Sequence, residues 1–179
     1  MRGTTGTAEN NMWEYIYKDL VYALRYLPFG FTFGIPAGIV FSCVVNGIRG
    51  LRSKEPAPML PSVLFGIYAA VMLMITFLSR ESGNSKGDDL ELFSTWGIND
   101  RNNAYVIENI LLFVPFGFLG SWAFEKMRRF FLCLATGAFT SLCIESLQLV
   151  TGRGFFQIDD ILTNTLGAVI GCLVCRLFL

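Results

Sequence analysis

The sequence contains no histidine in 179 residues. That absence excludes Ser-His-Asp and Cys-His catalysis and any histidine-ligated metal within the chain. Charge is also scarce. Asp, Glu, Lys and Arg make up 16% of the residues, against about 25% in an ordinary soluble domain. The two signs cancel, 14 basic residues against 14 acidic. No basic stripe exists to neutralise phosphates, so a nucleic-acid partner is not expected. Cys43, Cys133, Cys143, Cys172 and Cys175 all lie inside apolar runs. None flanks a loop where a disulfide framework would form. They read as small packing residues, with a lipid on Cys172 or Cys175 as the alternative. No cofactor and no metal centre is expected. No cleavable signal peptide opens the chain, so insertion is expected to use the first apolar helix.

Hydrophobicity is abundant, at 53% of residues, and it is gathered into long runs. Several reach the length of about 18 residues that spans a bilayer. The expected fold is therefore all-α, a multi-pass transmembrane bundle of about five spans. These are residues 28–48, 60–78, 105–124, 130–150 and 158–178, preceded by a polar tail over residues 1–11. Over residues 12–27, aromatic and aliphatic side chains alternate with Glu14, Lys18, Asp19 and Arg25 at helical spacing. That stretch fits an amphipathic helix in the membrane interface, or equally an extension of the first span. Residues 1–27 thus form one unit and residues 28–179 the membrane domain. Gly34 with Gly38, and Gly167 with Gly171, are small-xxx-small pairs that permit close helix contact. Residues 90–96, LELFSTW, read as a short amphipathic return to the interface. The basic turns at 49–54 and 126–129 fall on one side of a five-span arrangement. The positive-inside rule places that side in the cytoplasm.

The polar residues crowd the opposite helix ends. Arg80 closes span two, and Glu108 and Asn109 open span three. Glu145, Gln148 and Arg153 close span four, and Asp159, Asp160 and Asn164 open span five. Alternation alone brings these ends to one face of the membrane. Ser141, Glu145 and Gln148 stand at i, i+4 and i+7, one side of a helix. Ionisable groups at membrane depth are costly and mark a candidate site. A carboxylate at Glu145 calls for a cation, with Arg153 and Arg80 as candidates and Gln148 and Asn164 as supporting amides. The plainer alternative is that these residues only cap helices and hold them together.

Three motifs in order carry a family resemblance: N-x3-FVPFGF from Asn109, IESLQ from Ile144, and R-x5-DD-x3-N-x2-G from Arg153. With TFLSRE from Thr76 and DLELFSTW from Asp89, they resemble the VanZ-like family over residues 74–179. Residues 1 to about 60 carry none of its motifs. Arg80, Asn109, Pro115, Gly117, Glu145, Gln148, Arg153, Asp159, Asp160, Asn164 and Gly167 match its characteristic positions. The resemblance implies a multi-pass protein of the bacterial cell membrane, in a family whose named member lowers susceptibility to teicoplanin, a lipoglycopeptide.

Three functions compete. In the first, the polar mouth is a pocket for a membrane lipid, a lipid-linked cell-wall precursor or a lipoglycopeptide, with Arg80 and Arg153 on an anionic group. In the second, the chain is an enzyme acting on a lipid-linked headgroup. Glu145 is then the candidate catalytic acid or base, and Asp159 and Asp160 offer oxygen ligands to Mg2+. In the third, Gly- and Pro-interrupted spans move a lipid across the bilayer.

Overall fold

A computed structural model describes residues 11–78 and 87–179. The polar tail read for residues 1–11 lies, apart from Asn11, outside the described residues. Among the described residues five helices are long and apolar enough to cross a membrane: α1, Met12–Leu51; α2, Met59–Phe77; α3, Asp100–Ala123; α4, Phe130–Thr151; and α5, Ile158–Phe178. The bounds of α2, α4 and α5 fall within one residue of the runs read from the sequence, whereas α1 begins at Met12, well ahead of the expected residue 28. The third begins five residues earlier, because the Asn99 side chain accepts from Asn102 N–H and caps the helix there.

Helical backbone continues without a break from Met12 to Leu51. The amphipathic stretch and the first span are thus parts of one rod. It is α-helical over Met12–Ala23 and Ile35–Leu51, and opens into a π-helix over Gly30–Gly34. The wider turn stands just ahead of Pro36, which cannot donate into the ladder. Forty helical residues reach about 60 Å, twice the hydrocarbon thickness of about 30 Å. The first part of the rod docks on α3. Ile16 is buried there, and Arg101 Nη1 lies 2.7 Å from Asp19 Oδ2. The Arg101 guanidinium also lies over the rings of Tyr15 and Tyr105.

Glycines set two close crossings. A Cβ on Gly34 would sit 2.2 Å from Ile67 Cα, and one on Gly38 would sit 2.5 Å from Val63 Cα. Both values are below any tolerable contact, so α1 and α2 touch through backbone. At the α3–α5 crossing a Cβ on Gly117 would meet Ala168 O at 1.9 Å. On Gly167 it would meet Ile110 O at 2.3 Å, and on Gly171 it would meet Val114 O at 2.0 Å. Lipid gives helices no hydrophobic reason to associate, so close van der Waals approach supplies the adhesion.

Phe113, Phe116, Met72, Ile144, Ala168 and Cys172 fill the core between α2, α3, α4 and α5. Tyr68 of α2 donates its hydroxyl to Leu112 O, next to the carbonyl of Leu111 that Pro115 leaves without its helical partner. Cys133, Cys172 and Cys175 are buried, and all five thiols are free. Burial of Cys172 and Cys175 between helices removes both as lipid attachment sites; they pack, with Cys172 Sγ 3.3 Å from Met127 O. Large apolar side chains such as Phe33, Val40, Phe131, Phe139 and Val150 cover the outside, as a lipid-facing surface requires.

Candidate functional site

At the end of the bundle away from the 49–54 and 125–129 turns, the chain builds a cap. Residues 87–99 fold back over the turn between α4 and α5. Asp88–Asp89 (β1) pairs in parallel with Phe156–Gln157 (β2), and Phe156 N–H donates to Gly87 O at 3.0 Å. Gly87 faces the Phe155 ring so closely that a Cβ would meet it at 2.9 Å. Asp159, in the first turn of α5, holds the far part of the cap. Its Oδ1 accepts from Phe93 N–H at 2.7 Å and its Oδ2 from Thr95 N–H at 3.0 Å. Two charge-assisted bonds sustain Phe93 in the left-handed region, at φ 63°. Asp89 closes the loop internally by accepting from Ser94 Oγ at 2.8 Å. Outward, the cap presents Leu90, Leu92, Phe93, Trp96 and Ile98.

Beneath the cap runs a buried polar seam. Ser141, Glu145 and Gln148 share one inward face of α4, as their spacing requires. Asn164 Nδ2 of α5 donates to Ser141 Oγ at 2.9 Å, and Ser141 Oγ in turn approaches Asp160 O at 3.5 Å. Glu145, only 2% exposed, accepts at Oε2 from Gln157 N–H at 3.1 Å. Gln148 Nε2 donates to Thr76 O at 2.8 Å. Arg153 Nη1 donates to Phe77 O at 2.7 Å, with its guanidinium over the Phe77 ring. The geometry of α2 explains the last two bonds. Its final turn, Met74–Leu78, is a π-helix, and carbonyls at a helix C-terminus lack intrahelical donors. Gln148 and Arg153 supply those donors from α4 and from the turn that follows it. Gly152, at φ 66°, ends α4 in the left-handed conformation and turns the chain toward Arg153.

The candidate residues therefore separate. Glu145, Gln148, Arg153 and Asn164 line or bound the seam, joined by Ser141, Thr76 and Gln157. Asp159 faces the cap. Asp160 is half-buried and lends its carbonyl to Ser141. Asn109 is half-buried on α3, and among the described residues no hydrogen bond links it to the seam. Arg80 lies outside the described residues. Of the two cations expected to serve Glu145, Arg80 lies outside the described residues and Arg153 gives its Nη1 to the Phe77 carbonyl at the open end of α2. Among the described residues, too, no group of three or more His, Cys, Asp or Glu side chains is placed to hold a metal. Both Asp159 oxygens are already engaged with backbone N–H groups.

One charged group went unread as a unit. Arg101 Nη1 stands between Asp19 Oδ2 at 2.7 Å and Glu108 Oε1 at 3.9 Å. Asp19 and Arg101 are 82 residues apart, so no local pattern joins them. The available signal was three ionisable groups on two aromatic-rich helix ends that alternation brings to one side.

A helical bundle with lipid-facing sides, two glycine-welded crossings and a buried polar seam at one end defines a multi-pass integral membrane protein. The VanZ/LLP1 family pattern matches residues 65–179, all of α3, α4 and α5 and the end of α2 that the seam uses. Protein VanZ of Enterococcus faecium is 33% identical over 123 residues, 69% of this chain and 70% of that protein. The chain belongs to the VanZ family. No solved structure matches it.

Proposed function

We propose that the seam is a pocket, facing the outer side beneath the cap, that acts on a cell-envelope lipid or a lipid-linked cell-wall precursor. In doing so it lowers susceptibility to lipoglycopeptides such as teicoplanin. The observation that carries this reading is the burial of Glu145, Gln148 and Asn164 together beneath a folded cap. Helix adhesion alone is already provided by the glycine crossings, and polar groups at membrane depth are costly. Family membership supports the link to teicoplanin.

The test is a susceptibility assay against teicoplanin and vancomycin in a deletion strain complemented with wild type, Arg153→Ala or Glu145→Ala at matched membrane levels. Both variants are expected to leave the strain as sensitive as the deletion. Full complementation by both rejects the pocket. A second reading makes Glu145 an acid or base acting on a lipid-linked headgroup, favoured by its burial beside the Gln157 amide. The engagement of Asp159 with the cap argues against a paired-aspartate Mg2+ site in that scheme. Glu145→Gln separates the two, since a binding role tolerates the amide better than proton transfer does.

A further inference from the structure

The cap carries an apolar face that is left uncovered among the described residues. Leu90, Leu92, Phe93, Trp96 and Ile98 are each more than half exposed. The backbone behind them is engaged inward, at every second residue. Glu91 N–H donates to Asp89 Oδ1 at 3.2 Å, Phe93 and Thr95 N–H donate to Asp159, and Gly97 N–H donates to Asn103 Oδ1 at 2.7 Å. Non-helical backbone at a membrane needs such partners, because lipid supplies none. The height of the face is set by α5. Its 21 residues rise about 32 Å, which matches a hydrocarbon core of about 30 Å. The first turn of α5 therefore stands at the boundary of that core, and Asp159 in that turn holds Phe93 and Thr95 beside it. Trp13 and Tyr17 of α1 are also exposed, and they stand at the same end, where Asp19 meets Arg101 in the first turn of α3. Phe155, exposed and packed against Gly87, carries the apolar surface from the cap to the turn between α4 and α5.

We infer that this face docks on lipid, lying among the headgroups and upper acyl chains of the outer leaflet. Tryptophan and tyrosine collect at that depth because each ring has an apolar body and a polar tip. Trp96, Trp13 and Tyr17 then form one belt. Charge points to the apolar part of the lipid rather than to an anionic headgroup, since residues 87–99 carry Asp88, Asp89 and Glu91 and no Lys or Arg. Docking therefore needs no anionic lipid and does not weaken with salt. The inference goes beyond the seam and does not require the seam to be a pocket.

Trp13→Phe with Trp122→Phe leaves Trp96 as the single tryptophan of the full chain. In phosphatidylcholine nanodiscs its emission should lose most of its intensity to a nitroxide on the headgroup or high on the acyl chain, and little to one near the chain end. Adding phosphatidylglycerol or salt should leave that order unchanged. The same order is expected with the reporter moved to Leu92→Trp in a Trp96→Phe background. The unaltered chain gives a second measurement that no folding defect can spoil. A phosphatidylcholine with a photoactivated carbene precursor high on its acyl chain should mark the peptide holding residues 90–98, mapped by mass spectrometry. Emission untouched by every lipid-borne nitroxide in a folded single-tryptophan chain overturns the inference, as does quenching that is strongest near the chain end or the absence of carbene adducts on that peptide. Trp96 sheltered from lipid and from aqueous acrylamide alike, in discs that hold two copies, also overturns it and assigns the face to a second copy of the chain.

Discussion

Asp159 commits both carboxylate oxygens to the backbone of the cap, at Phe93 and Thr95. Hydrogen bonds to a charged group contribute about 1.5–3 kcal/mol each when desolvated. Asp159→Ala should therefore free residues 93–95 and lower stability by about 1–3 kcal/mol, allowing for water replacing part of the loss. Amide hydrogen exchange at Phe93 and Thr95 should rise while the exchange of α3 stays unchanged. Gln148 is as constrained, with its amide closing the open end of α2. Gln148→Leu should cost about 1–3 kcal/mol by stranding Thr76 O, read as a lower unfolding midpoint in detergent. By contrast, the Arg101–Asp19 pair is more than a third exposed at the aspartate. Asp19→Asn should cost no more than about 1 kcal/mol.

Elements here meet through glycine, which makes their spacing sharply testable. Gly117→Leu or Gly171→Leu drives a side chain into the backbone of the partner helix. Either should abolish folded protein, measured as loss of a monodisperse peak on size exclusion. At Gly47 the surroundings are open, and an added Cβ would meet nothing within 4 Å. Gly47→Ala should be neutral or stabilise α1 by up to about 1 kcal/mol through helix propensity. The existence of all five helices was legible in the sequence because span length and hydropathy are local properties. So was the shared face of Ser141, Glu145 and Gln148, which needs only helical period. The cap was not legible. Its contacts join Gly87 to Phe156 and Asp159 to Phe93, across more than sixty residues for each pair. The π-turn of α2 was equally hidden, and with it a partner of Arg153. A charge count nominates an arginine for the nearest carboxylate, but a helix end with unfilled carbonyls competes for the same guanidinium.

For the whole molecule, the rings of Phe41, Phe65 and Phe124 meet, so the turns after α1 and α3 share one end. Seam and cap occupy the other. This polarity fits a cytoplasmic position for Arg49, Arg52, Lys126 and Arg128 and an outer position for the cap. The central claim is that α4 turns Ser141, Glu145 and Gln148 inward beneath the cap and presents its opposite side to lipid. Nitroxide scanning along residues 139–150 tests this most directly, in protein whose five native cysteines are replaced and reconstituted in bilayers, with oxygen accessibility as the readout. The account predicts minima at 141, 144, 145 and 148 and maxima at 139, 147 and 150, where Val150 is 81% exposed. Maxima at 145 and 148 would contradict it.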